Sequence, residues 1–293
     1  MVAAAFSYLR VYSLNEAVRA LSDHGEDAKL LAGGQSLVPM LNLRLARPSV
    51  LIDINAADSR EPFAADGSLV LPALTRHAQL MASPLIRGSA PMLSAAVRHV
   101  GNVRVRNRGT IGGSLAHADP TAEISCTALA LDATVAVLGP QGERLIPVGD
   151  FFTGYLSTQL EPDEVITELR LPARRPRRGW SFLEVARRAA DFAVVAAAAS
   201  VEVDPGGVVR DARVGLACVA DRVVLADPQA VASVVGTVPT SARLADVARA
   251  ASEAVSPEDD VHASGAYRQR LVAVLTRRAL AEAIASARGA RAA

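Results

Sequence analysis

The spacing of apolar and polar positions switches several times along the chain, and each switch predicts an element. Ser13-Leu14-Asn15-Glu16 has the form of a capping box, the serine bonding forward and the glutamate back, so a helix is predicted over residues 14–22. Residues 29–32 read as a short buried strand running into Gly33-Gly34, and residues 49–54 as a second strand. Helix, strand, glycine turn and strand describe a small α/β unit. Residues 68–74 then alternate as a strand, Thr75 stands where it can cap a helix through Met81, and a further helix is predicted over 91–100. An arginine-, asparagine- and glycine-rich loop follows and ends in a second pair, Gly112-Gly113. Residues 122–131 are apolar enough for a buried helix. Residues 133–138 and 143–148 flank Gly139-Pro140-Gln141-Gly142, a hairpin signal, and 165–171 alternate up to Pro172.

The run P-A-R-R-P-R-R-G at 172–179 is the clearest boundary and reads as a solvated linker. Two long β-prone runs, 192–203 and 208–219, surround an Asp-Pro-Gly-Gly turn beyond it. After Pro239 the pattern becomes helical, with residues 241–254 first. In the last helix Tyr267, Leu271, Val274 and Leu275 recur at helical spacing and are predicted to share an apolar face. The predicted organisation is one domain over 1–175, with subdomains at about 1–56 and 57–175, and a C-terminal sheet-and-helix domain over 176–293. No internal repeat or heptad array occurs.

Composition narrows the function. The 293 residues carry 31 basic and 30 acidic side chains, so nothing electrostatic draws the whole chain to nucleic acid or anionic lipid. Aromatic residues make up 4% of the chain, too few for base-stacking platforms. Cys126 and Cys218 are the only cysteines, which rules out a four-cysteine iron–sulfur or cysteine-rich zinc site within this chain and suggests a reducing compartment. Residues 1–10 lack a basic segment followed by a long apolar run, and the alanine-rich 192–203 is too short to span a bilayer, so a cytoplasmic location is expected. Lys29 is the only lysine, which reads as base-composition bias.

The candidate chemistry lies in the two glycine pairs. In Leu31-Ala32-Gly33-Gly34-Gln35-Ser36-Leu37 the glycines permit positive φ and close approach, and successive N–H groups with the Ser36 hydroxyl suit a pyrophosphate. A tight turn between strands is the plain alternative. Arg106 to Ser114, R-N-R-G-T-I-G-G-S, repeats the chemistry with Thr110 in front. In Ala118 to Glu123, A-D-P-T-A-E, Asp119 suits the N-cap of a helix opening at Pro120. A carboxylate there equally suits ribose or ribityl hydroxyls. Two such segments suggest a long ligand with a phosphate-rich middle. No G-x-G-x-x-G follows a strand and no G-K-[ST] occurs, so neither a Rossmann site nor a P-loop is supported.

A-G-G-Q-S-L-V-P-M-L-N-L-R-L-A-R-P at 32–48 and R-N-R-G-T-I-G-G-S-L-A-H-A-D-P at 106–120 resemble the FAD-binding medium subunits of the molybdenum hydroxylases, such as the carbon monoxide dehydrogenase medium subunit and the xanthine dehydrogenase FAD domain. Arg188-Ala189-Ala190-Asp191-Phe192-Ala193 resembles the family's R-x-x-D-F-A element, and the closing helix from Tyr267 fits as well. The resemblance covers residues 6 to about 287. It implies an α+β fold: a two-subdomain α/β FAD-binding domain of the vanillyl-alcohol-oxidase/molybdopterin-dehydrogenase type, then a C-terminal antiparallel sheet with helices.

It further implies that Leu30, Leu31, Ala32, Gly33, Gly34, Gln35, Ser36 and Leu37 wrap the pyrophosphate of non-covalent FAD. Thr110, Gly112, Gly113 and Ser114 form the other wall, with Val100 and Gly101 close by. Glu123 bonds sugar or ribityl hydroxyls. Ile166 and Leu183 match positions beside the isoalloxazine ring, and some relatives carry lysine at the latter. Gly109 stands where many members have alanine, a change read as harmless. No residue is expected to act as acid or base on a substrate. Molybdopterin and [2Fe-2S] clusters are expected in separate large and small subunits, in a dimer of heterotrimers, and the isolated chain should bind FAD without oxidising the physiological substrate. The flavin would pass electrons to NAD⁺, oxygen, a quinone or another acceptor. Two other readings are a stand-alone FAD oxidase of the wider family, which usually adds a substrate domain and often tethers flavin through His or Cys, and a flavin-free structural subunit. Valine at Gly33 or Gly112 is expected to abolish flavin retention without unfolding the chain.

His117 lies inside the second motif, where approach to flavin or partner competes with loop packing. His24, His77, His99 and His262 show no ligand spacing and read as structural, and both cysteines read as inert core residues. Trp180 and Phe182 are expected to pack the C-terminal domain onto the flavin end, or simply to pack.

Overall fold

The computed structural model of the protein describes residues 2–289. Near the N-terminus a three-stranded parallel sheet has Val50–Asp53 in the middle, flanked by Ser7–Arg10 and Ala28–Leu31. The helix Leu14–His24 joins the two flanking strands and buries Ala17, Val18, Ala20 and Leu21. Ser13 caps its start: the Glu16 N–H donates to Ser13 Oγ (3.1 Å), and the Glu16 carboxylate reaches one residue past the cap and accepts from the Tyr12 N–H (2.7 Å) instead of closing a capping box on the Ser13 N–H. Ser7–Arg10 escapes sequence reading because all four of its residues are exposed. Only pairing with the central strand makes it a strand.

The second sheet is antiparallel and has five strands, in the order Phe63–Ala65, Ser68–Pro72, Val165–Pro172, Thr134–Gly139 and Gly142–Pro147. Its last two strands are the predicted hairpin. Val165–Pro172 arrives late in sequence yet takes the central place, so its first five residues are all buried. Six short helices connect Ser68–Pro72 to the hairpin. Arg76, not Thr75, caps His77–Ala82, with its N–H donating to Gln79 Oε1. Pro91–Ala96 stops four residues short of the predicted helix end. The segment read as a loop contains two helices, Val103–Arg108 and Ile111–His117, with Gly112 and Gly113 inside the second. Asn102 and Thr110 cap them, and these caps outweigh the poor helix propensity of paired glycines.

The third sheet has the order Arg178–Ala186, Ala193–Val203, Val209–Ala217 and Val224–Leu225, all antiparallel. Ala193–Val203 is buried on both faces. Ala196 and Ala198 join the core shared with the five-stranded sheet and Glu123–Ala130, whereas Val195, Ala197, Ala199 and Val201 join the core under Ser241–Glu253 and Gly265–Ala287. Small side chains let helices press on both faces. A Cβ at Gly215 would lie 2.6 Å from the Cys126 carbonyl oxygen, and one at Gly179 would overlap the backbone of Ala283 and Ala287.

The buried face of the last helix is only half the one predicted: Leu275 is buried and Leu271 packs against the core, but the other two residues are exposed. Tyr267 and Val274 are 42% and 44% exposed, and the helix meets the sheet through Arg268, Val272, Leu275, Ala279 and Ala283. Trp180 and Phe182 pack against the core of the five-stranded half, as expected. Among the described residues no helix is long and apolar enough to cross a membrane, and the alanine-rich stretch is a strand.

Candidate functional site

A cleft of about 650 Å³ opens between the three-stranded unit and the helices of the five-stranded unit, with the Ala190–Phe192 turn of the third sheet at its rim. The first wall is the turn after Ala28–Leu31. Gly34 has φ of 73°, a backbone region that costs other residues strain. Gly33 has no space for a side chain, because its Cβ would overlap the Arg108 carbonyl on the opposite segment. The two glycine segments therefore touch backbone to backbone. Gln35 Nε2 donates to the Gly33 carbonyl (3.1 Å), while the Ser36 hydroxyl makes no capping bond to the helix Leu37–Asn42 that follows.

A polar bridge holds the walls in register. Asn55 Nδ2 donates to the carbonyls of Leu31 (3.3 Å) and Ala32 (2.9 Å). Arg76 donates from Nη2 to Asn55 Oδ1 (2.6 Å) and from Nη1 to the Arg108 carbonyl (2.5 Å). Burial and the charge of Arg108 pull the Arg76 pKa down.

The second wall is the start of Ile111–His117. Thr110 Oγ1 accepts from the Gly113 N–H, and the Gly112 N–H donates to the Ala73 carbonyl (2.8 Å). A Cβ at Gly112 would sit 2.6 Å from that of Ala73. His77 stands behind this turn, 3% exposed, with Nε2 3.1 Å from both the Thr110 carbonyl and Ser114 Oγ. Burial, reinforced by Arg106 and Arg76, lowers its pKa from 6.5 to about 4, so the ring is neutral at pH 7.

Acidic groups gather beyond the helix. Asp119 is not an N-cap, because the helix begins at Glu123; Asp119 Oδ1 instead accepts from Thr121 N–H (2.8 Å) and Oγ1 (2.7 Å) in a turn. His117 Nε2 lies 4.0 Å from Asp119 Oδ2. Glu123 lines the cleft but is buried, and its pKa rises from 4.5 to about 7, burial first, with Glu184 and Asp119 adding repulsion and His99 opposing. Glu184 is itself buried, with Oε1 3.6 Å from His99 Nδ1, and this pairing raises the His99 pKa.

The cleft brings together Leu30, Ala32, Gly33, Gly34, Gln35, Ser36, Leu37, Val100, Gly101, Thr110, Gly112, Gly113, Ser114, Asp119, Glu123 and Ile166 from the sequence reading, and His117 with them. Leu31 and Leu183 are outside its lining. Leu31 turns its side chain behind Gly34. Leu183 packs with the core under the last helix, because in an alternating strand its neighbours Phe182 and Glu184 face the other way, towards the five-stranded half and His99. Cleft residues that the reading left out include Lys29, His77, Asp191 and Phe192, the last 67% exposed. The R-x-x-D-F-A motif was the available signal for the last two; for His77, a lone histidine after a strand, there was none. Cys126 and Cys218 are buried outside the cleft lining, and burial pushes both thiols up.

Comparison with known proteins agrees with this geometry. Residues 4–174 match the model of the FAD binding domain in molybdopterin dehydrogenase, and residues 180–283 that of the CO dehydrogenase flavoprotein C-terminal domain. The chain is 38% identical to the 6-hydroxypseudooxynicotine dehydrogenase complex subunit alpha of Paenarthrobacter nicotinovorans, over 97% of this chain and 96% of that one. It is 35% identical to the carbon monoxide dehydrogenase medium chain of Hydrogenophaga pseudoflava, over 96% and 97% of the two chains. Among solved structures, carbon monoxide dehydrogenase from Hydrogenophaga pseudoflava superimposes with a TM-score of 0.94 at 35% identity, covering 98% of this chain and 99% of that one. Quinoline 2-oxidoreductase from Pseudomonas putida 86 gives 0.92 at 36% identity, covering 98% and 100%. Two domain models in the expected order, full-length relatives and a cleft walled by both glycine segments place this chain in the family of FAD-binding medium subunits of molybdenum hydroxylases.

Proposed function

We propose that the cleft holds FAD non-covalently and that the chain carries electrons out of a molybdenum hydroxylase complex. One observation carries this reading: two glycine segments, distant in sequence, meet with no room for a Cβ at Gly33 or Gly112 and wall a cleft of about 650 Å³. That volume falls within the range of about 300–1,000 Å³ usual for ligand sites. The Ser36 and Ser114 hydroxyls suit the pyrophosphate, Asp119 and Glu123 suit sugar or ribityl hydroxyls, and Ile166 and Phe192 offer apolar surface to the ring system. Bound FAD supplies the redox chemistry, accepting two electrons and yielding them to an external acceptor. The chain's residues bind and orient it.

Electrons would come from a [2Fe-2S] small subunit, fed by a molybdopterin large subunit, in a dimer of heterotrimers. With two buried cysteines this chain has no cluster ligands to spare. The same free thiols suit the cytoplasm. On this reading residues 1–175 form the FAD-binding domain, 176–293 a flavoprotein C-terminal domain, and the isolated chain is inactive on the physiological substrate. Burial of both cysteines outside the cleft argues against a cysteine-tethered oxidase.

The visible spectrum of the purified chain before and after acid denaturation tests the proposal. Flavin released into the supernatant supports it. Flavin kept by the precipitate supports a tethered oxidase, and no uptake after incubation with FAD sinks the assignment.

A further inference from the structure

We infer that His77 is a positioning residue of the cleft: as the Nε2–H tautomer it fills the Thr110 carbonyl and makes Ser114 Oγ an acceptor, so that the Ser114 hydroxyl donates into the cleft. The inference rests on FAD occupying that cleft, and it names a hydrogen bond from Ser114 to an oxygen acceptor of the flavin nucleotide.

The tautomer follows from its partners. A carbonyl oxygen only accepts, so the ring nitrogen 3.1 Å from Thr110 O carries the hydrogen. His77 Nδ1 is buried with no partner, and a hydrogen there would be an unpaired buried donor. Protonation of both nitrogens is opposed by burial and by Arg76 and Arg106.

The consequence for Ser114 comes from counting lone pairs. A helical serine usually returns its hydroxyl hydrogen to the carbonyl four residues back, here Thr110. That carbonyl already accepts the Ser114 N–H (3.0 Å) and His77 Nε2–H, which fills both lone pairs. Ser114 Oγ lies 3.1 Å from the same Nε2, so it shares that one hydrogen with the Thr110 carbonyl in a three-centre bond and faces the ring as an acceptor. Its hydrogen is left for the cleft, which Ser114 lines.

Gly109 belongs to the same device. A Cβ there would lie 2.8 Å from His77 Nδ1 and Cε1, so the ring occupies the space of the missing side chain. The His77 N–H also donates to the Gly109 carbonyl (3.0 Å), fixing the ring's backbone to the segment it props. Glycine at 109 is thus not a harmless variation in this chain.

The test uses the full chain, stripped of flavin and titrated with FAD. His77→Ala and Ser114→Ala should each weaken FAD binding by roughly tenfold, as loss of a hydrogen bond to a charged acceptor does. The double variant should bind no more weakly than Ser114→Ala alone, because His77 acts through Ser114; additive losses would overturn the inference. Gly109→Ala should weaken FAD in the native background and be neutral beside His77→Ala; an equal effect in both would also overturn it. Nitrogen shifts of the ring-labelled native chain give a readout independent of FAD. They should report the neutral Nε2–H tautomer near pH 7, and an Nδ1–H tautomer would refute the arrangement even if FAD binds. Failure of the native chain to bind FAD, with the Nε2–H tautomer present, would instead refute the occupant of the cleft and with it the role of Ser114.

Discussion

The two walls of the cleft look alike in sequence, each a glycine pair followed within two residues by serine, and they are built differently. In the first, Gly34 takes a φ of 73° and the chain turns from strand into helix. In the second, both glycines are helical, and what matters is proximity: Gly112 to Ala73, Gly113 to the Thr110 cap. The first pair needs a dihedral angle at Gly34 and an absent side chain at Gly33, whereas the second needs only absent side chains. Glycine counts in sequence do not separate these uses, because both come from the same missing Cβ.

The largest effects should break both walls. Gly33→Val and Gly112→Val force a branched side chain into backbone or Ala73, and each should cost about 3 kcal/mol or more besides abolishing flavin retention. Calorimetry alongside flavin content would show it. Clean flavin loss in a Gly33→Val chain of unchanged stability, as the sequence alone suggested, would mean that the walls do not touch. Next comes the bridge between the walls. Arg76→Gln leaves the Arg108 carbonyl and Asn55 without their donor and should speed FAD release about tenfold in stopped-flow fluorescence.

The second glycine of each pair sharpens the contrast. Gly34→Ala should destabilise the chain by about 1–2 kcal/mol through its positive φ. Gly113→Ala should stay within about 1 kcal/mol, because the helix gain from alanine offsets the loss of the Thr110 cap. Equal effects in urea unfolding would erase the distinction.

The effect spread most thinly, a slope and not a step, concerns acid. His77, lowered from 6.5 to about 4, binds fewer protons folded than unfolded, so its contribution to stability rises with pH across that window. Glu123, raised from 4.5 to about 7, binds more protons folded, so its contribution falls as pH rises from 4.5 to 7. The two slopes oppose each other where they overlap. Glu123→Gln should remove one and make stability of the flavin-free chain rise by up to ~1 kcal/mol per pH unit, relative to native, between about 5 and 6.5.

Legibility followed how local each signal is. The Ser13 cap, with Glu16 bonding back to Tyr12, and the hairpin at 139–142 are carried by nearby residues and appear where predicted. Ser7–Arg10 carries no alternation and exists through its neighbour. Val103–Arg108 was hidden by its polarity, since half of its residues are arginine. Leu183 was assigned to the flavin side from a motif match, yet one step along a strand reverses the face, and only the packing reveals it.

By itself the sequence determined the first helix and the strands that follow it, Ala28–Leu31 and Val50–Asp53, the hairpin, the two glycine segments and the family, because these depend on short runs of residues in fixed order. Tertiary structure alone decided that Arg76 and Asn55 bridge the walls, that His77 fills the space left at Gly109, and that Glu184 stands beside Glu123 and His99. Each of these pairs residues between 21 and 85 positions apart. At such separations the chain carries no local pattern, and burial and hydrogen-bond satisfaction select the partner only when the walls close.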